Sequence, residues 1–279
     1  KIHVPAGTYT LTKQLVLPPY TVLAGAGRDA SLIKWDVALT TPLVIGKTLV
    51  TGSVTRATFA LEDLRLTATA PGFISNVVDR SFTKEPGWLK RVGIFAPVTA
   101  EKVWDKTPTG IFLRQTANTI LENVLIDSAK AIYGRDDVSY LKLTGSTFRW
   151  NNLNIWLSSQ SHNFLLADNR FEKRGPVVTQ ASLVISAFYG AKPYARDFLW
   201  ANNVITQVST DTTPMNSGYT MDGGDGIYLG GIRSVSGSQM NLAAATKATS
   251  MSGAALKYGG LGYVAQIIDG KGAGQWRYV

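Results

Sequence analysis

The sequence has no cysteine, which excludes disulfide staples, cysteine-ligated zinc and thiol catalysis. Histidine is nearly absent. His3 and His162 are the only two, too few for a histidine-rich metal site or a comfortable Ser-His-Asp triad. No apolar run reaches about 18 residues, so no membrane-spanning helix is expected. Proline is sparse, at 11 in 279 residues, and the 27 glycines keep no strict period, which excludes a collagen-like chain. Acidic residues are the minority, 19 against 28 Lys and Arg. The formal charge of +9 suits a polyanionic partner: acidic polysaccharide, nucleic acid or an anionic surface. Lys and Arg nowhere run longer than two, and no recognition motif accompanies them, so nucleic acid is not the expected partner.

What is present is β-rich. A hydrophobic share of 45% supplies an ample core. Helical periodicity is nearly missing, and short apolar runs alternate with Gly, Asn, Asp and Ser. One strand pattern recurs as Gly93-Ile94-Phe95, Gly110-Ile111-Phe112-Leu113-Arg114, Ala131-Ile132-Tyr133-Gly134-Arg135, Asn154-Ile155-Trp156-Leu157-Ser158 and Gly226-Ile227-Tyr228-Leu229-Gly230. The Ile offsets are 17, 21 and 23 residues. A second pattern follows at Asn123, Gly145, Asn169 and Asn203. A repeat of about 22 residues holding two or three short strands predicts one coil of a right-handed parallel β-helix. Strand alternation then stacks the Ile inward, and Asn and Gly take a shared turn where left-handed backbone is cheap.

The opening, Val4-Pro5-Ala6-Gly7-Thr8-Tyr9 followed by Leu23-Ala24-Gly25-Ala26-Gly27, resembles the first coils of the pectate-lyase-like β-helix superfamily. The coil pattern of residues 90–230 extends the resemblance. It implies the fold and little about function, because that superfamily includes polysaccharide lyases, glycoside hydrolases, epimerases, phage tailspikes and adhesins. The expected layout is a β-helix over 1–230 and an irregular β extension over 231–279. Both ends read as cut from a longer protein.

Outward positions carry the chemistry. If the Ile face inward, Phe95, Phe112, Tyr133, Trp156 and Tyr228 form an external aromatic column, with Arg114 and Arg135 beside it. Aromatic faces stack on sugar rings, and arginine suits a carboxylated or sulfated sugar. An overlying loop or neighbouring subunit covering the column is the alternative. Glycoside hydrolysis needs paired carboxylates. The candidates are Asp136 and Asp137 at one strand end, with Asp222 and Asp225 at another. The Asp-Asp pair resembles that of polygalacturonase-like hydrolases, but their His-Gly and Arg-x-Lys motifs are missing. A lyase would instead use Arg or Lys as base and a cation, Ca²⁺ among them, to neutralise the uronate. His162 falls in an expected turn.

These residues predict an extracellular or surface-located carbohydrate-active enzyme, a hydrolase ahead of a lyase, acting on polysaccharide without a resident cofactor. The competing expectation is a non-catalytic glycan-binding β-helix, such as a tailspike or adhesin module, monomeric or homotrimeric.

Overall fold

The computed structural model describes residues 1–97, 107–150, 153–158, 161–173, 181–186, 196–207, 217–222, 232–236, 239–242, 264–266 and 276–278. All regular structure among these residues is β-strand. The organising pair is Thr109–Glu122 and Lys130–Thr144, which run parallel along nearly their whole length. Ile111 lies against Ile132, Phe112 against Tyr133 and Leu121 against Leu143. Leu153–Ser158 then stacks on the first half of this pair, and His162–Ala167 on the second. A separate sheet joins Gly7–Thr10, Ser31–Trp35, Arg65–Ala68, Gly93–Phe95, Leu125–Asp127, Thr147–Trp150, Arg170–Lys173 and Val204–Gln207 in that order. Every pairing in it is parallel. Parallel strands in curled sheets, one coil's strand beside the next coil's, are consistent with a parallel β-solenoid.

The core is built from ladders of like residues. Val78, Ile111, Ile132 and Ile155 stand in register and are each 0% exposed. Leu61, Leu89, Leu121, Leu143 and Leu166 form another ladder. On the second sheet, Ile33, Leu66, Ile94, Ile126, Phe148 and Phe171 form a third. Phe148 and Phe171 stack at 5.2 Å, and Phe171 meets Trp200 at 5.0 Å. Each fully buried aliphatic or aromatic side chain of this kind contributes about 1.5–3 kcal/mol.

One strand differs from expectation. Gly93-Ile94-Phe95 pairs with Arg65–Thr67 and Leu125–Asp127 on the separate sheet, so Phe95 is not part of the aromatic column. Val78 occupies the coil position below Ile111 instead. The 17-residue offset from Ile94 to Ile111 is too short for a full coil. Arg65 covers the Phe95 ring at 4.8 Å.

The turn is shifted by one residue in two coils. Left-handed backbone falls on Asp63, Arg91, Asn123, Gly145, Asp168 and Asn202. In each of the first five, the amide donates to the carbonyl one coil on, as from Asn123 to Thr144 and from Gly145 to Ala167. Asn169 and Asn203 therefore follow the turn residue, and they build a ladder. Asn169 Oδ1 accepts from the Ser146 amide, and Asn169 Nδ2 donates to Leu143 O. Asn203 Oδ1 accepts from the Asn169 amide and from Nδ2, and Asn203 Nδ2 donates to Leu166 O. With Asn169 only 2% exposed, this pairing is what makes a buried amide affordable. Gly25 opens the turn of the first coil because the chain passes too close for a side chain. A Cβ there would lie 2.2 Å from the Asp63 carbonyl oxygen.

The chain divides into two compact units, Lys1–Tyr219 and Thr220–Val279. In the second unit, Ile232–Ser236 pairs antiparallel with Gln239–Leu242, and Val264–Gln266 pairs antiparallel with Trp276–Tyr278.

Candidate functional site

Phe112, Tyr133 and Trp156 occupy one register position on three successive strands. Each is flanked by core residues: Ile111 and Leu113, Ile132 and Gly134, Ile155 and Leu157. Alternation therefore turns the three rings outward. Ring centroids are 5.4 Å apart for Phe112–Tyr133 and 5.5 Å for Tyr133–Trp156, with interplanar angles of 52° and 42°. All three are half-buried. Beside Phe112 and Tyr133 the surface sinks into a cavity of about 300 Å³, also lined by Thr40, Ser75, Asn76 and Lys130. The Lys130 ammonium lies 5.9 Å from the Tyr133 ring centroid. Sequence reasoning did not select Lys130, whose strand parity is that of the inward Ile132.

Arg114 and Arg135 are in register with each other, two residues beyond the aromatics. They share Asp136. Arg114 Nε donates to its Oδ2 at 2.7 Å, and Arg135 Nε donates to the same oxygen at 3.2 Å. Arg114 also lies over Phe82 at 5.5 Å. Asp137 accepts from Lys84 Nζ at 2.8 Å, with His162 Nε2 at 3.8 Å from its other oxygen. Asp136 and Asp137 both have left-handed backbone, at φ 54° and 69°, which bends the long strand at this corner. Two of the four expected catalytic carboxylates are thus ion-paired, and the expected cationic flank is matched by an anion.

His162 is not in a turn. It begins the strand His162–Ala167, pairs with Ser139, and meets Tyr140 edge-on at 5.8 Å. Asp222 ends the strand Ser217–Asp222, and its side chain lies outside the described residues. Asp225 and Tyr228 also lie outside them. A larger, shallow depression of about 530 Å³ lies on another face, lined by Tyr140, Lys142, Asn163, Leu165, Asp197 and Leu199. Lys142 stands there in register between Ile120 and Leu165, away from the aromatic column.

Three further carboxylates brace successive coils. Burial alone would raise the Glu172 carboxyl, but donation from Arg149 Nε at 2.8 Å and Arg170 Nε at 2.6 Å holds it below its ordinary range. The Arg91 fork, at 2.6 and 2.8 Å, holds Asp63 low. Trp88 Nε1 at 2.8 Å, then Lys1, holds Glu62 low. A carboxyl depressed in the folded state contributes stability above its unfolded pKa, and that stability is lost as pH falls through the folded value. With ordinary values of 4.5 for Glu and 3.8 for Asp, the melting temperature is expected to stay level from neutral pH to about 5 and to fall below it. Thermal melts between pH 3 and 7 check this, and Glu172→Gln should flatten part of the fall. An unchanged curve in that variant would remove Glu172 from the account.

No protein-family model matches the sequence, and no curated protein matches it significantly. Among solved structures, the chain is similar to "Geobacillus virus E2 - ORF18" at 11% identity and a TM-score of 0.38, with 86% of this chain covered. The chain spans 55% of that protein's length. A likeness this loose carries no argument about function. No helix among the described residues is long and apolar enough to cross a membrane.

Proposed function

We propose that this chain is a glycan-binding β-helix, with the column of Phe112, Tyr133 and Trp156 as its binding face. The observation that carries the reading is the set of three outward, half-buried rings on adjacent strands, 5.4 and 5.5 Å apart. Stacked aromatics on a solenoid exterior have no core to fill, whereas planar apolar faces beside polar groups suit sugar rings. The cavity beside Phe112 and Tyr133, with its hydroxyls, amide and ammonium, gives such a chain an end to enter. In this reading the coil is right-handed and of the pectate-lyase-like kind, supported by the repeat of about 22 residues and the parallel register. The protein acts outside the cell or on a cell or virion surface.

Cleavage of the bound polysaccharide is the second reading. Asp136 and Asp137 stand on the strand that carries Tyr133, close enough along the chain to border the same groove. Their engagement by Arg114, Arg135 and Lys84 favours binding over acid–base work, which needs a carboxyl free to hand over a proton.

The test is affinity electrophoresis of the full chain through gels containing neutral, carboxylated or sulfated polysaccharides. Retardation by at least one class is expected, and free migration in all of them would overturn the glycan reading. The same mixtures, assayed for reducing ends and for absorbance near about 235 nm, separate the outcomes. Reducing ends alone indicate hydrolysis, both signals indicate β-elimination at a uronate, and neither leaves pure binding.

A further inference from the structure

Arg80 sits inside the solenoid with its charge uncompensated by any described carboxylate. Arg80 directly follows the strand Asn76–Asp79 and is 1% exposed; Asp79 beside it is buried too, at 5%. Its neighbour Asp79 is spent elsewhere: Oδ2 accepts from Arg56 Nη1 at 2.9 Å, and Oδ1 accepts from the Ser81 amide. Only Arg80 Nη2 is satisfied, donating to Thr58 Oγ1 at 3.2 Å and Glu85 O at 3.1 Å. Nε and Nη1 are buried without partners. Burial pulls the guanidinium down to about 10, so it remains charged at neutral pH.

The surroundings are rich in unspent donors. Gly87 is the residue beneath the guanidinium, where a Cβ would lie 1.9 Å from Nη1. Thr119 pairs with Gly87 on the next coil, and its hydroxyl is buried without a partner. Ser81 and Thr83, on the same stretch as Arg80, carry buried unpartnered hydroxyls as well. Thr83 is held near this level because its carbonyl accepts from Thr116 Oγ1 and from the Ala117 amide. A buried cation with two unpartnered nitrogens, carrying three N–H bonds, and hydroxyls able to donate is an incomplete arrangement, since buried polar groups find partners and buried charges are paired.

We propose that the solenoid interior at Arg80 binds a small monovalent anion of halide size, held by Arg80 Nε and Nη1 together with the Thr119 hydroxyl. The site is separate from the aromatic column and stands or falls independently of the glycan reading. Its role is to complete the core between the coils of Phe59 and Thr119, so the ion stabilises the folded chain and not the unfolded one.

The experiment is thermal melting of the full chain in sodium chloride against sodium gluconate at constant ionic strength. Above the dissociation constant, each tenfold rise in chloride should raise Tm by about 3–5 °C. Gluconate, too large to enter, should not. Arg80→Met replaces the buried cation with an apolar chain of similar length, a change buried charges often tolerate. It should abolish the chloride dependence, and Thr119→Val should weaken it. Equal chloride dependence in Arg80→Met would overturn the proposal, because the ions would then act at the surface. So would the absence of any dependence in the parent. Should Arg80→Met fail to fold, crystals of the parent grown in bromide decide the matter. An anomalous peak within hydrogen-bond distance of Arg80 Nη1 supports the site, and no peak there overturns it.

Discussion

Ile132→Asp is expected to abolish the cooperative melt of the central coils. Ile132 is 0% exposed and stands in register between Ile111 and Ile155, both equally buried. An aspartate at this point would place a carboxylate in an aliphatic ladder, with no cation or amide facing it from the neighbouring rungs. Burying an unpaired charge costs several kcal/mol, and the lost aliphatic contacts add to that. In a solenoid each coil rests on its neighbours, so the defect propagates to both sides. Circular dichroism melts should show a transition many degrees lower or no folded baseline at all. A variant melting like the parent would mean that the inward ladder is misassigned.

Trp156→Ala should separate binding from stability. The indole closes the column on Tyr133 at 5.5 Å and is only half-buried, so its removal opens no core cavity. As a sugar platform it should account for about 1–3 kcal/mol of ligand affinity, by analogy with stacking on other planar ligands. That raises the dissociation constant about fivefold to about 150-fold, since about 1.4 kcal/mol is one factor of ten. Tm should move little. Truncating a buried ring of the interior, such as Phe171, should by contrast cost about 3–5 kcal/mol of stability. A large stability loss at Trp156 with unchanged retention by glycan would sink the proposed binding face.

The partly neutralised flank bears on ligand choice. The net charge of +9 and the arginines beside the aromatics point, in the sequence, to an acidic glycan. In the folded chain Arg114 and Arg135 converge on one carboxylate, and Lys84 meets another. Charge counted along the chain is therefore not charge presented at the groove. The gels with neutral polysaccharide are as informative as those with acidic ones.

The sequence alone determined the stacking of this protein. Ile111, Ile132 and Ile155, and the rings that follow each, recur at nearly constant spacing, and parallel pairing of equivalent residues is the arrangement that buries such a repeat. The outward column of Phe112, Tyr133 and Trp156 follows from alternation, a local property of the strand. What depends on where each coil begins was decided only in three dimensions. Phe95 carries the repeated Gly-Ile-aromatic pattern and alternation does bury Ile94, yet its strand belongs to the other sheet, because the 17-residue offset to Ile111 is too short for a full coil. Asn169 and Asn203 fit the turn pattern but stand one residue past it, since Asp168 and Asn202 also tolerate left-handed backbone and free the following amides to form a ladder. The pairing of Asp136 with Arg114 joins residues 22 positions apart, that of Asp137 with Lys84 joins residues 53 apart, and both depend on how the coils lie side by side. The buried Arg80 was equally illegible, because it follows a strand's end and its guanidinium is placed by Thr58, Glu85 O and the bare Gly87, which the fold brings together.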